Sequence, residues 1–240
     1  MSYFVEPATT QPKIEHIGSE GAAVVVIDDF IEDPDALVDF AASHPFQPVT
    51  QNLYPGVRAR APEAYARGVV SRIEGMVRQT YGLSDSPLIG VQCDFSLVTT
   101  SLDKLQLLQA LPHFDTTNLN QFAVLHYLCP AERGGTSFYR HRSTGFESVS
   151  GDRHDAYLAK LGAELKASGP PERAYIDGDT ALFERIAKVD AAFNRLVIYR
   201  SACLHSGNIR RDFGFEQDVR KGRLTVNMFL LFGPRGRSSV

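Results

Sequence analysis

Two histidines and one aspartate are the residues of this 240-residue chain whose types and spacing point to chemistry, and that chemistry is metal-centred. In Leu111-Pro112-His113-Phe114-Asp115 the ligand-type side chains lie two residues apart. At a strand end, alternation sends His113 and Asp115 to one side and Phe114 to the other. Alone the triplet means little, because His-x-Asp arises by chance in roughly every second protein of this composition. His205 adds a third donor at another strand end, after the apolar strand 196–199 and the short turn 200–204. Two imidazoles and one carboxylate bind ferrous iron on one face of an octahedron, leaving positions open for a chelating cosubstrate and O2. The same donors hold zinc with one water. A zinc hydrolase also needs a general base, and the chain has no His-Glu-x-x-His or comparable helical pattern.

Around these donors, five features follow in a fixed order: His113-x-Asp115, Val124-Leu125-His126-Tyr127-Leu128, Gly134-Gly135-Thr136-Ser137-Phe138, Arg195-Leu196-Val197-Ile198-Tyr199 leading to His205, and Arg223-Leu224-Thr225-Val226-Asn227. Over residues 91–232 this order resembles the 2-oxoglutarate- and Fe(II)-dependent dioxygenases with a double-stranded β-helix core, in particular their prolyl-hydroxylase-like branch. The resemblance implies Fe(II) held by His113, Asp115 and His205, with 2-oxoglutarate and O2 consumed and succinate and CO2 released. It further implies hydroxylation of an unactivated C–H bond in an amino-acid-like, peptidyl or small-metabolite substrate. The halide-binding variant needs the position of Asp115 vacant and is disfavoured. In that family a basic residue opening the strand after the second iron histidine holds the distal carboxylate of 2-oxoglutarate. Arg223 fits that place, and a planar guanidinium gives a carboxylate two parallel hydrogen bonds. Thr225, on the same strand face, and Tyr127 are implied as further partners of that carboxylate. The loop from His205 to Arg223 is longer than usual for the branch, so Arg220 and Lys221 stand as substitutes.

These residues need a scaffold. A β-branched strand, 24–27, leads through Asp33-Pro34 into a capped helix. A second helix starts near Pro62, carries Tyr65, Val69, Ile73, Met76 and Thr80 on one face, and ends at Gly82. After Pro87 the period becomes two, with strands expected at 91–97, 105–111, 122–128, 136–139, 195–199 and 224–232. The fold class is therefore α+β: a double-stranded β-helix, a jelly-roll or cupin-like core, over 91–232, with N-terminal strand and supporting helices over 1–90, all one domain of 1–240. Residues 146–192 read as a helical insertion of two helices, one with Tyr157, Leu158, Leu161 and Leu165, the other with Leu182, Phe183, Ile186 and Val189. They pack outside the sheet or form a substrate-covering lid.

The bulk composition excludes several classes. A net charge of −3 gives no basic field for nucleic acid, and the cluster Arg210, Arg211, Arg220, Lys221 and Arg223 alternates with acidic residues. No apolar stretch approaches the roughly 20 residues of a membrane-spanning helix, and no secretory signal opens the chain, so the expectation is a cytoplasmic protein with a small-molecule or peptidyl substrate. Oligomeric state is left open, a homodimer included. Cys93, Cys129 and Cys203 lack close spacing and read as reduced thiols in strands. His126 points away from Tyr127 and reads as a packed histidine. His141 and His154 read likewise; Arg140-His141-Arg142 reads as a solvated turn, with reach to a carboxylate-bearing substrate as the alternative, and Asn118 and Asn120 read equally as turn residues or as contacts to substrate or to the metal donors. Two further functional classes fit the same residues: a catalytically silent β-helix protein binding metal or a small acid, and a cupin-like metal-dependent hydrolase.

Overall fold

Lys13–Ile17 (β1) folds back on Ala22–Ile27 (β2), whose run of three valines and an isoleucine favours extended backbone through branching at Cβ. A computed structural model describes residues 11–49, 54–169, 171–210 and 212–234; Arg211 of the basic cluster lies outside them. Pro34–Ala42 (α1) starts where Asp33 Oδ1 accepts the Ala36 N–H at 3.0 Å and Pro34 supplies the first helical turn. Gln47–Pro48 (β3) and Gly56–Arg60 (β4) follow, then Glu63–Tyr81 (α2), which ends on Gly82 in the left-handed region at φ 69°. The buried stripe of α2 is Tyr65, Val69, Ile73 and Val77; Val77 takes the place expected for Met76, which packs only partly.

The remaining elements are Leu88–Val98 (β5), Gln121–Tyr127 (β6), Thr136–His141 (β7), His154–Ser168 (α3), Phe183–Val189 (β8), Arg195–Arg200 (β9), His205–Gly207 (β10) and Leu224–Phe232 (β11). They build two antiparallel sheets, β1-β2-β9-β6-β11-β5-β4-β3 and β10-β7-β8. Helices α1 and α2 cover one face of the large sheet through a core containing Phe30, Leu37, Val69, Ile73, Phe95 and Met228. A second core, with Leu125, Tyr127, Val197 and Phe138, joins the other face to the small sheet. Helix α3 packs Tyr157 and Leu161 against Tyr139 and Phe183. The layers are thus helices, large sheet, small sheet and α3, a mixed α/β architecture dominated by antiparallel pairing.

Two expected elements are different in the structure. Residues 105–111 form no strand; Leu102–Lys104 and Leu107–Ala110 are single 3-10 turns. A reciprocal cap explains the second, since Gln109 Oε1 accepts the Gln106 N–H at 2.8 Å and local side-chain bonds compete with ladder formation. The second stripe of the 146–192 segment is the strand β8, not a helix. Its register slips against β7 between Phe138 and Tyr139, so that Arg185 faces Tyr139 and Ala187 faces Phe138. This bulge lets Phe183 join the core under α3 while Ile186 and Val189 join the core between the sheets, which gives the apolar residues helix-like spacing. In the first stripe Leu158 is exposed, and Leu165 packs only partly. On β5, Cys93, Phe95 and Leu97 are buried but Val91 is 46% exposed. The cysteines are free and buried, Cys93 within β5 and the other two just beyond strand ends.

His126 ties the layers together. Its Nδ1 lies 2.9 Å from the Tyr65 hydroxyl of α2 and its Nε2 3.1 Å from Asn194 Oδ1. Asn194 in turn binds the N–H and carbonyl of Ile31. Burial pushes the imidazole down to about 4, against a smaller upward pull from the Asn194 bond. A depressed histidine pKa leaves stability intact above the unfolded value near 6.5 and removes it as pH falls towards 4, because only the unfolded chain takes up the proton in that window. Chemical denaturation at pH 7 and pH 4.5 should therefore show a loss of about 2–3 kcal/mol from this group, and the His126→Gln protein should lose correspondingly less between the same two pH values.

Candidate metal centre

The chain leaves β9 at Arg200, turns through residues 201–204, with the Cys203 N–H donating to the Arg200 carbonyl at 3.0 Å, and enters the small sheet at His205. There His205 and His113 are direct cross-strand partners: each N–H donates to the other's carbonyl, at 2.9 and 2.8 Å. Such a reciprocal pair places both side chains on one face, and the two rings stand 4.4 Å apart. The Asp115 N–H donates to the Ser201 carbonyl at 2.8 Å, so the extended segment 113–115 is held at both ends although no strand precedes it.

The side chains converge. Asp115 Oδ1 lies 3.9 Å from His113 Nε2, and Oδ2 lies 3.8 Å from His205 Nε2. One ligand atom from each residue falls within 4.8 Å of the other two. Two donors each about 2.1 Å from one ion stand at most about 4.2 Å apart, so both contacts of Asp115 fit a shared metal. The His205 Nδ1–H donates to the Cys203 carbonyl at 2.9 Å, which fixes the tautomer and leaves the Nε2 lone pair free to act as a ligand. Desolvation first, then the charges of His205 and Arg58, push His113 down to about 3, so it is neutral and able to ligate at ordinary pH. Burial raises the Asp115 carboxyl, while His205, Arg58 and Ser201 oppose the rise.

A cleft of about 760 Å³ opens over the triad between the two sheets. Arg223, immediately before β11, lines it and is itself buried. Its Nη2 donates to the Gly135 carbonyl at 2.9 Å and its Nε to the Gly134 carbonyl at 3.3 Å. The glycine pair itself packs too closely for side chains: a Cβ on Gly134, at φ 81°, would stand 1.7 Å from the Asn208 carbonyl oxygen, and one on Gly135 would stand 1.9 Å from that of Val189. The Arg223 guanidinium lies over the Tyr127 ring at 5.6 Å, and the Tyr127 hydroxyl bonds Thr136 Oγ1 at 2.7 Å. Thr225 is fully buried and donates to Asn227 Oδ1 at 2.8 Å. Tyr127 and Thr225 thus stand behind residues that line the cleft, Arg223 and Thr136 for the first and Asn227 for the second. Arg220 pairs with Asp39 at 2.7 Å and Lys221 with Asp218 at 3.7 Å; neither lines the cleft.

The other polar candidates are structural. Arg140 pairs with Glu147 and Glu184, and Arg142 with Asp179. His141 is buried between Thr144 and Glu164. Asn118 caps a turn through the Asn120 N–H, and His154 is paired with Asp155 at the surface. Sequence reading missed Arg58, Tyr54 and Tyr175, all on the cleft wall. The alternation of Val57 and Ala59 with Arg58 and Arg60 was a strand signal, but which strand β4 would pair with was not readable from it.

Fold and site together define an antiparallel two-sheet protein with a two-histidine, one-carboxylate constellation in an open cleft. The chain belongs to a family of unknown function, DUF6445, whose model matches residues 8–230. No curated protein matches it. Among solved structures it is similar to HygX from Streptomyces hygroscopicus, crystallised with nickel and 2-oxoglutarate, at 14% identity and a TM-score of 0.49 over 90% of this chain and 84% of that one. It is also similar to an N-substituted L-amino acid dioxygenase from Burkholderia ambifaria AMMD, at 16% identity and a TM-score of 0.42 over 94% and 99%. A third is SnoN, an alpha-ketoglutarate-dependent epimerase from nogalamycin biosynthesis, at 13% identity and a TM-score of 0.49 over 90% and 82%.

Calorimetric titration with Ni(II) should give one site per chain in the unsubstituted protein, and Asp115→Ala or His205→Ala should weaken it by roughly tenfold or more. His113→Ala should do the same with little change in Tm, since its side chain is 49% exposed to the cleft.

Proposed function

We propose that this protein is a 2-oxoglutarate- and Fe(II)-dependent dioxygenase on a double-stranded β-helix core, hydroxylating a small-molecule or peptidyl substrate. The observation that carries this reading is the presence of a two-histidine, one-carboxylate cluster and a buried guanidinium in the same cleft. Arg223 forms no ion pair with a carboxylate among the described residues; its two hydrogen bonds end on carbonyls. A buried cation without a counter-ion is costly, and a bound dicarboxylate relieves that cost through two parallel hydrogen bonds. Iron held by His113, Asp115 and His205 would, when bound, supply the activation of O2 and the oxidative decarboxylation of 2-oxoglutarate.

The chain's own residues supply placement. His113, Asp115 and His205 hold the metal, with His205 oriented by the Cys203 carbonyl. Arg223 takes the distal carboxylate, Tyr127 supports the guanidinium from below, and Thr225 acts through Asn227. Buried Tyr175 and Ile209 wall the cleft and limit water at the reacting centre. A hydrolytic role finds no support in the cleft wall, because Asp115 is its sole carboxylate among the described residues and is already committed to the metal. Iron-loaded protein exposed to air should convert 2-oxoglutarate to succinate. His113→Ala should abolish this, and Arg223→Met should raise the KM for 2-oxoglutarate by about tenfold or more, as expected for one lost charge-assisted pair. Failure of the metal-loaded protein both to bind and to consume 2-oxoglutarate would overturn the reading.

A further inference from the structure

The cleft contains a second cation that the triad and the 2-oxoglutarate site do not use. Arg58 lies on β4, whose Val57 and Ala59 pack towards the helices, so alternation turns Arg58 to the opposite, cleft-lining face. Its guanidinium lies over the Tyr54 ring at 4.6 Å, and its Nε is buried without a hydrogen-bond partner. Among the described residues no carboxylate forms an ion pair with it. Arg60, two residues further along the same strand face, is by contrast paired with Asp94 at 3.2 Å. Charge in the cleft does not balance without a further anion. On the reading proposed above, the metal dication is offset by Asp115 and one carboxylate of 2-oxoglutarate, and Arg223 by the other. Arg58 alone is left over. Arg58 lines the same cleft as His113, Asp115 and His205 and is not at a remote surface.

The rest of the cleft wall has a different character. Val91 is 46% and Leu108 50% exposed, and with Phe229 and Leu231 they line the same cleft as Arg58. At about 760 Å³ the space is well within the roughly 300–1,000 Å³ of ligand sites and larger than a five-carbon diacid needs. We infer that the primary substrate is an amphiphilic carboxylate, with its carboxylate on Arg58 and its apolar body along Val91, Leu108, Phe229 and Leu231. A planar carboxylate matches the guanidinium fork in two parallel bonds. The inference rests on the dioxygenase reading for the reaction, but its recognition element is separable from it.

The test is equilibrium binding to the Ni(II)- and 2-oxoglutarate-loaded protein, with N-octanoylglycine and its neutral counterpart N-octanoylglycinamide as probes. The acid should bind about tenfold more tightly than the amide, the size of one charge-assisted pair. Arg58→Met, which keeps the stem on Tyr54, should abolish the difference, and Arg58→Lys should restore part of it. In the same titrations the affinity for 2-oxoglutarate should change less than about twofold in Arg58→Met and by about tenfold in Arg223→Met. Equal binding of acid and amide, binding of neither, or an acid preference that survives Arg58→Met would overturn the inference. So would a loss of 2-oxoglutarate affinity in Arg58→Met equal to that in Arg223→Met, which would give Arg58 to the cosubstrate. If the unsubstituted protein ignores 2-oxoglutarate yet discriminates acid from amide through Arg58, the dioxygenase reading fails and the anion site stands.

Discussion

Everything at the candidate centre depends on the reciprocal backbone pair between His113 and His205. Two short bonds fasten the segment 113–115 to the edge of the small sheet, beside a strand that the chain has just entered from the large one. The pair brings two imidazoles to the same face at neighbouring positions, and the bond from Asp115 to the Ser201 carbonyl adds the carboxylate from two residues further on. Backbone geometry therefore sets the spacing of the donors before any metal contributes. The His205 ring orientation and tautomer are in turn fixed by the Cys203 carbonyl.

The second constraint is close approach. Arg223 is held by the carbonyls of Gly134 and Gly135, two residues whose backbone lies nearer to residues 189 and 208 than any side chain allows. The guanidinium is thereby immobilised over Tyr127 without being neutralised. A carboxylate partner from the protein would have filled the role that an incoming anion is proposed to fill. Most other arginines near the layers end on Glu or Asp, as Arg140, Arg142 and Arg195 do. The two that line the cleft wall do not, and that contrast separates structural cations from those available to ligands.

The helical layer gives this arrangement a rigid floor. His126 links α2, β6 and the start of β9 through Tyr65 and Asn194, and Asn194 adopts a positive φ of 65° to close the turn into β9. Because β6 and β9 sit side by side in the large sheet, the same network that packs the helix also fixes the strand from which the chain departs towards His205.

Local pattern carried much of this in the sequence. Capping at Asp33-Pro34, the left-handed stop at Gly82, and the alternation of 122–128 and 224–232 are short-range effects, readable wherever neighbouring residues decide the outcome. The candidate donors His113, Asp115 and His205, which the structure brings together, and Arg223 at a strand start, stood out by type and order. Tertiary structure decided the rest. Residues 105–111 became turns because Gln106 and Gln109 cap each other, and 183–189 became a strand because a bulge let it serve two cores. Arg58 went unnoticed because its meaning depends on facing a cleft without an ion-pair partner among the described residues, and an unpaired charge is a property of three-dimensional surroundings. Sequence by itself determined which side chains are available as ligands and which segments are extended or helical, since those follow from residue type and local spacing. Only the pairing of distant strands determined which of them meet, because convergence is set by long-range register that no local period encodes.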